Sequence, residues 1–463
     1  MRYLSTRGQA PVLDFEDVLL TGLASDGGLY LPESWPQLDA DTLRAMQGMS
    51  YAQIAAKVME PFVEGWISPD ELLAMTQETY AVFDHQAVVP MVQTGDNDWL
   101  LELFHGPTFA FKDLALQLLG RLFDRALDRR GERITIVGAT SGDTGSAAIA
   151  GCAGRANMDV YILFPHGRVS EVQRRQMTTV DAGNVHCIAL DGTFDDCQAL
   201  VKAMFNDVAF RKRISMAAVN SINWARVMAQ SAYYVASAVR LGAPDRSVAY
   251  SVPSANFGAA FAGYVALQMG LPIEKFIVAT NANDILHRFL ETGGYRTTGV
   301  QPTLSPSMDI QVSSNFERLL FELHGRDADA NARLMARLSQ SGGFEVDASA
   351  HKTAQSLMAS HRLDDDGIRA EIARMHGQTG YILDPHTACG TAAARSAGLD
   401  PAIPVITHGQ AHPAKFPDAV ASALGKKPAV PAALAAIMEK PERAIRLPNE
   451  LAAVQAFILG ESN

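Results

Sequence analysis

Ile134-Thr135-Ile136-Val137 runs directly into Gly138-Ala139-Thr140-Ser141-Gly142-Asp143-Thr144-Gly145. β-Branched residues favour an extended chain, and glycines let the backbone turn tightly, so this stretch reads as a strand, a turn and a helix start. The small-residue segment Ser146 to Cys152 continues as helix, and Val160 to Phe164 is the next strand, stopped by Pro165 and Gly167. Ser170 is placed to cap a further helix, and Val185 to Leu190 is another apolar run. Upstream, Ala115, Leu118, Leu119, Leu122 and Ala126 recur at helical spacing between Asp113 and Arg130, with Gly131 as the C-terminal cap. Strand, helix and strand at this spacing predict parallel βαβ units in an α/β fold. In such sheets ligands sit where the carboxyl ends of strands meet helix N-termini, so the turns after strands are where chemistry is expected.

The pattern resumes with a strand over Val248 to Val252, a small-residue loop, a helix around Phe261 to Met269 and a strand over Phe276 to Ala279. Residues from about 342 to 372 are polar and read as a peripheral helical insertion, and 430 to 458 as C-terminal helix broken at Pro441 and Pro448. The first ninety or so residues are helix-rich and are expected to form a separate layer. The expected divisions are therefore 1–95, 96–225 and 226–463.

The chain has 463 residues, 48% of them hydrophobic and 19% charged, which supports a sizeable core. A net charge of −11 argues against nucleic acid or an anionic membrane as partner. Four cysteines without a C-x-x-C pair suit a reducing compartment, and Asp14, Glu16 and Asp17 stand where a signal peptide needs apolar residues, so a cytoplasmic protein is expected. No apolar run is long enough to span a bilayer.

Four segments carry candidate chemistry. In His105-Gly106-Pro107-Thr108-Phe109-Ala110-Phe111-Lys112-Asp113 a lysine stands among apolar residues at a helix start. An amine in an apolar pocket sheds its proton more easily and can attack a carbonyl; the plain alternative is a solvated lysine beside a capping aspartate. Gly138 to Gly145 can hold an anion on helix-start amides, or be an ordinary turn capped by its hydroxyls. Val252-Pro253-Ser254-Ala255-Asn256-Phe257-Gly258 suits a nest of amides around a phosphate, as many tight turns do. In Thr407-His408-Gly409-Gln410-Ala411-His412-Pro413-Ala414-Lys415-Phe416-Pro417 the two histidines have zinc-pair spacing, but Gly409 and Pro413 argue against a helix, so a loop and no metal site are expected.

Together these segments resemble the threonine synthase family of fold-type-II pyridoxal-phosphate enzymes. Tyr3 to Gly8 and Gly22 to Tyr30 are similar to its N-terminal signature, His105 to Asp113 to its lysine motif and Ala139 to Gly145 to its Ser-Gly-Asp-Thr-Gly loop. Asn220 to Asn223, Asp309 to Arg318 and Ala411 to Phe416 follow in the family's order, so the resemblance spans nearly the whole chain. It implies a tryptophan synthase β-like architecture of two parallel-sheet domains with flanking helices and an N-terminal layer. It implies pyridoxal 5'-phosphate as cofactor, held by Lys112, which also acts as general acid/base. Ser254, Ala255, Asn256, Phe257 and Gly258 would hold the cofactor phosphate. Ser141, Gly142, Asp143 and Thr144 would receive the substrate carboxylate. Arg226 and Arg7 are candidates by charge for the substrate phosphate. The implied reaction, that of a carbon–oxygen lyase in amino-acid biosynthesis, turns O-phospho-L-homoserine and water into L-threonine and phosphate.

Two departures matter. Ala255 stands where the family has glycine, and would be strained if that position needs positive φ. Gln410 stands where the family has threonine, leaving Gln410 or Thr407 to face the pyridine nitrogen. The alternatives are a phospho-lyase or deaminase that releases a 2-oxo acid, and a cofactor-binding protein without turnover. No obligate protein partner is evident.

Overall fold

A computed structural model describes residues 1–140, 142–217 and 221–461, so Ser141 and Asn220 lie outside the described residues. Fifteen strands are numbered in chain order. β1 (Tyr3–Ser5) and β2 (Tyr30–Pro32) form an antiparallel pair in the N-terminal layer, beside the helices Phe15–Thr21, Tyr51–Met59 and Pro69–Tyr80. The Asp26 carboxylate ties this layer's signature together by accepting from Ser5 Oγ and from the amides of Gln9, Ala10 and Gly28.

β3 (Met91–Gln93) and β4 (Asp98–Glu102) precede the helix Lys112–Arg130. The stretch that opened the sequence reading becomes β5 (Ile134–Ala139), the helix Asp143–Cys152 and β6 (Met158–Pro165), followed by the helix Glu171–Thr178 and β7 (Val185–Asp191). The expected caps are in place: Ser170 accepts from the Gln173 amide, and Gly131 ends its helix in the left-handed region at φ +65°. β8 (Met216–Ala217) follows, then the helix Trp224–Arg240, β9 (Val248–Pro253), the helix Gly258–Gln268 and β10 (Ile273–Thr280). The remaining strands are β11 (Gly294–Arg296), β12 (Gly343–Glu345), β13 (Met358–Arg362), β14 (Val405–Gly409) and β15 (Ile445–Pro448).

Two parallel sheets organise the rest. The five-stranded sheet has the order β15-β7-β6-β5-β8, and the six-stranded sheet β13-β10-β9-β14-β4-β3, in which only the edge pair β3–β4 is antiparallel. β9 and β14 are buried along their whole length, as central strands covered on both faces must be. Each sheet borrows strands from distant chain: β3 and β4 join β14, while β15 closes the edge beside β7.

Two expectations change. The polar stretch 342–372 is not wholly helical: it supplies β12 and the edge strand β13. The 430–458 stretch contains β15, ending at Pro448, between the helices Ala432–Met438 and Leu451–Glu461. Strands this short give a sequence pattern too brief to separate from a helix segment, and proline tolerates a strand end better than a helix interior.

The helices Lys112–Arg130 and Asp143–Cys152 cross very closely. A Cβ built on Gly120 would lie 2.0 Å from the Gly151 carbonyl oxygen, and one on Gly151 would lie 2.3 Å from that of Leu116. Only glycine allows this crossing, and it brings the two helix N-termini carrying Lys112 and Asp143 to one end of the pair.

Candidate active site

Lys112 is the first residue of its helix. The loop before it is tied to the chain leaving β14. Phe111 N–H donates to the Gln410 carbonyl at 2.8 Å, His412 N–H donates to the Phe109 carbonyl at 3.0 Å, and Ala110 bridges Ala411. Phe109 adopts φ +57°, a conformation that costs a non-glycine residue on the order of 1–2 kcal/mol. Thr108 holds the turn by donating its N–H and its hydroxyl, each at 2.7 Å, to the buried Asp113 carboxylate.

Burial pulls the Lys112 amine down to about 8. Asp143 opposes that shift, Lys415 and Arg226 add to it, and Asp113 weakly opposes it. The positive end of the helix dipole acts in the same direction as burial. The sequence reading of Lys112 as an amine with a suppressed charge therefore has a structural basis.

Asp143 opens its helix after β5, where its side chain pairs with Lys415 Nζ at 2.7 Å and accepts from Gln173 Nε2 at 3.0 Å. Burial alone would raise this carboxyl, but the Lys415 and Lys112 ammonium groups and those hydrogen bonds hold it well below the usual carboxylate range. The Asp143 side chain is thus committed to cations. What the turn offers a carboxylate is backbone: among the described residues no acceptor meets the N–H of Asp143 or Thr144, whereas those of Gly142 and Gly145 donate to Thr140 Oγ1.

The Ser254–Gly258 turn lies between β9 and its helix. Asn256 is anchored from the far side: its carbonyl accepts from the Asn315 N–H and Nδ2, each at 3.0 Å, and its Oδ1 accepts from Ser314 Oγ at 3.2 Å. Among the described residues, the successive amides of Ala255, Asn256, Phe257, Gly258, Ala259 and Ala260 have no acceptor. Such a run at a helix N-terminus is a cradle for a phosphate. The left-handed residue is Phe257, at φ +61°, and Ala255 is not among the positive-φ residues, so the alanine departure carries no backbone strain.

Arg226 faces the same region. It stands four residues before Gln230, whose Oε1 would lie 3.7 Å from a Cβ on Gly258. The Arg226 side chain is buried, burial pulls its guanidinium down to about 10, and Nη1 has no partner among the described residues. A buried cation without a counter-ion is costly unless an anion arrives. Arg7 is already paired: its guanidinium makes two 2.9 Å hydrogen bonds to Glu317, beside a cavity of about 520 Å³ whose lining includes Ser314, the partner of Asn256.

Gln410 is buried, its N–H donates to Thr387 Oγ1 at 2.8 Å, and its side-chain Nε2 has no partner among the described residues. Thr407 sits inside β14 with its methyl against Gly390, whereas the Gln410 main chain is hydrogen-bonded to the lysine loop. His408 is buried among Tyr233, Tyr234 and Tyr250, whereas His412 packs on Phe104 and Phe109.

The sequence reading passed over Lys415, quoting it only within a loop. Its Nζ also donates to the Thr108 carbonyl at 2.6 Å. The available signal was its setting between Ala414 and Phe416, similar to that of Lys112. Also missed was the buried chain from Asp384 through His386 Nδ1 (2.9 Å) to the Ser307 amide, which donates to His386 Nε2 at 3.2 Å.

A phosphate cradle, an amine of lowered proton affinity and an unpartnered amide fit an aldehyde cofactor bearing a phosphate and a ring nitrogen. Comparison with known proteins agrees. Residues 2–80 match the threonine synthase N terminus, 93–366 the pyridoxal-phosphate dependent enzyme family and 387–458 the threonine synthase C-terminal family. The chain is 55% identical to threonine synthase of Pseudomonas aeruginosa over 100% of this chain and 99% of that one. The crystal structure of PLP-bound threonine synthase from Brucella melitensis superposes with a TM-score of 0.99 at 53% identity, covering 100% of both chains. That of the yeast enzyme gives 0.95 at 40% identity, covering 100% of this chain and 98% of that one. With its three family segments in order along the whole length, the chain belongs to the threonine synthase family of fold-type-II pyridoxal-phosphate enzymes.

Proposed function

We propose that this site converts O-phospho-L-homoserine and water into L-threonine and phosphate. The observation that carries the reading is the placing of one charge-suppressed amine, Lys112, among separate anion receptors. The amides of residues 255–260 suit the cofactor phosphate, the Asp143 and Thr144 amides suit the substrate carboxylate, and Arg226 suits the substrate phosphate. A substrate that carries both a carboxylate and a phosphate needs two of these besides the cofactor's own.

When bound, pyridoxal phosphate supplies an aldehyde to hold the substrate amine and a ring to spread the charge left by proton removal. The chain supplies the rest. Lys112 Nζ takes the Cα proton, and its amine is suited to that task because its lowered proton affinity leaves it unprotonated more readily than an ordinary lysine. A Cβ proton must also leave before the Cγ–O bond breaks, and Arg226 receives the departing phosphate. Cγ gains a proton to become the methyl group, the hydroxyl of water adds to Cβ while its remaining proton balances the one taken up by the released phosphate, and Cα regains its proton. Gln410 Nε2 can donate to the ring nitrogen, which an amide N–H meets in its unprotonated form.

No helix of the described residues is long and apolar enough to cross a membrane. The four cysteines are buried and unbridged, which supports a reducing compartment such as the cytoplasm. The deciding experiment incubates the full chain, loaded with cofactor, with O-phospho-L-homoserine and follows phosphate and amino acid together. Equal amounts of phosphate and threonine are expected; phosphate accompanied by a 2-oxo acid would replace this reading with a phospho-lyase.

A further inference from the structure

One carboxylate, Asp143, is paired with the buried Lys415 and acts on the half-buried Lys112 through its charge alone. Lys415 follows β14 of the six-stranded sheet, and Asp143 follows β5 of the five-stranded sheet, so their 2.7 Å ion pair ties the two sheets across the site. Lys415 has a wholly buried side chain and reaches a second acceptor, the Thr108 carbonyl, at 2.6 Å. Thr108 is the residue that clasps Asp113 next to Lys112. A buried ammonium is tolerated only with such partners.

We propose that Lys415 is a positioning residue of this site: by engaging the Asp143 carboxylate and the Thr108 carbonyl, it keeps Asp143 from pairing with Lys112, so that the Lys112 amine is left free to capture a carbonyl. This rests on the reading of Lys112 as the cofactor lysine.

The charged groups facing the Lys112 amine are Asp113 on its own helix, Asp143 after β5, Arg226 on the Trp224–Arg240 helix and Lys415 after β14. Of these, Asp143 is the one that would most strongly hold a proton on Lys112. Were Lys415 absent, the carboxylate would lose its partner and Lys112 would be the ammonium left to neutralise it. A second cation set beside an amine is a general way to keep that amine reactive, and here the cation acts both directly and by occupying the intervening anion.

The two ends of the pair act on Lys112 with opposite sign, which separates this role from a merely structural one. The test uses the full chain freed of cofactor with hydroxylamine and checked for folding by circular dichroism. Acetic anhydride labelling of the Lys112 peptide is followed by mass spectrometry across pH. Lys415→Met is expected to move the labelling midpoint up by at least about one pH unit, roughly a tenfold loss of neutral amine at a given pH. Lys415→Arg, which keeps the charge, is expected to leave it nearly in place, and Asp143→Asn to move it down. If Lys415→Met does not fold, the downward shift in Asp143→Asn together with the unshifted Lys415→Arg decides the matter. A Lys415→Met midpoint that stays in place, or shifts of the same sign from Lys415→Met and Asp143→Asn, would overturn the proposal. Absence of any cofactor capture at Lys112 in the unaltered chain would instead remove the reading of Lys112 on which it rests.

Discussion

The Phe111 amide donates to the Gln410 carbonyl at 2.8 Å, so the residue next to Lys112, the proposed cofactor lysine, is hydrogen-bonded to the residue proposed to face the cofactor's ring nitrogen. This main-chain bond holds the backbones of the two segments together and does not depend on the Gln410 side chain. Replacing Gln410 by leucine should leave the melting temperature nearly unchanged while weakening cofactor binding about 2- to 10-fold, the worth of one neutral hydrogen bond. Gln410→Thr should restore part of it. Titration of the cofactor-free chain by absorbance checks this; equal affinity for the leucine variant would remove Gln410 from the ring's partners.

Lys112 has a direct pH signature. Its amine is lowered to about 8, chiefly by burial, from an ordinary 10.5. Between those values the unfolded chain still binds a proton that the folded chain has released. The stability of the cofactor-free protein should therefore rise with pH across that window, and Lys112→Met should lose this slope. Denaturant titrations between pH 7.5 and 10.5, taken here as roughly the range bracketing that shift, measure it. The same variant should lose borohydride-stable labelling by the cofactor and turn over at least about a hundredfold more slowly.

Arg226 is buried with Nη1 unpartnered, which makes it a cost to the empty fold and an asset to the loaded one. Arg226→Met should raise or leave unchanged the melting temperature, since it removes an uncompensated buried charge. It should cut kcat/KM for the phosphorylated substrate by about 10²-fold or more, with cofactor affinity retained. Inorganic phosphate should inhibit the unaltered enzyme competitively and the variant weakly; equal inhibition of both would assign the substrate phosphate elsewhere.

Ala255 departs from the family's glycine without adopting positive φ, which falls on Phe257 instead. Ala255→Gly should accordingly bring no relief of strain. It should lower stability by about 0.5–1 kcal/mol through added freedom of the unfolded chain, with cofactor affinity unchanged. Paired thermal melts and cofactor titrations test this. A more stable or tighter-binding glycine variant would mean that the turn does strain residue 255.

The amino-acid sequence by itself determined the βαβ core, the caps at Ser170 and Gly131, the setting of Lys112 at a helix start and the two anion-suited turns. Each depends on neighbours in the chain: β-branched runs, turn residues and hydroxyl caps act over a few residues. Only the tertiary structure decided which charges meet. Lys415 and Asp143 come from different sheets, Arg7 is neutralised by Glu317 from far along the chain, and Arg226 is left with no anion among the described residues. The edge strands β13 and β15 were equally unreadable, because their pairing partners, not their own short sequences, make them strands. A charge has no local pattern that names its counter-ion: burial and long-range contact set both its partner and its proton affinity, and the chemistry of Lys112 follows from that.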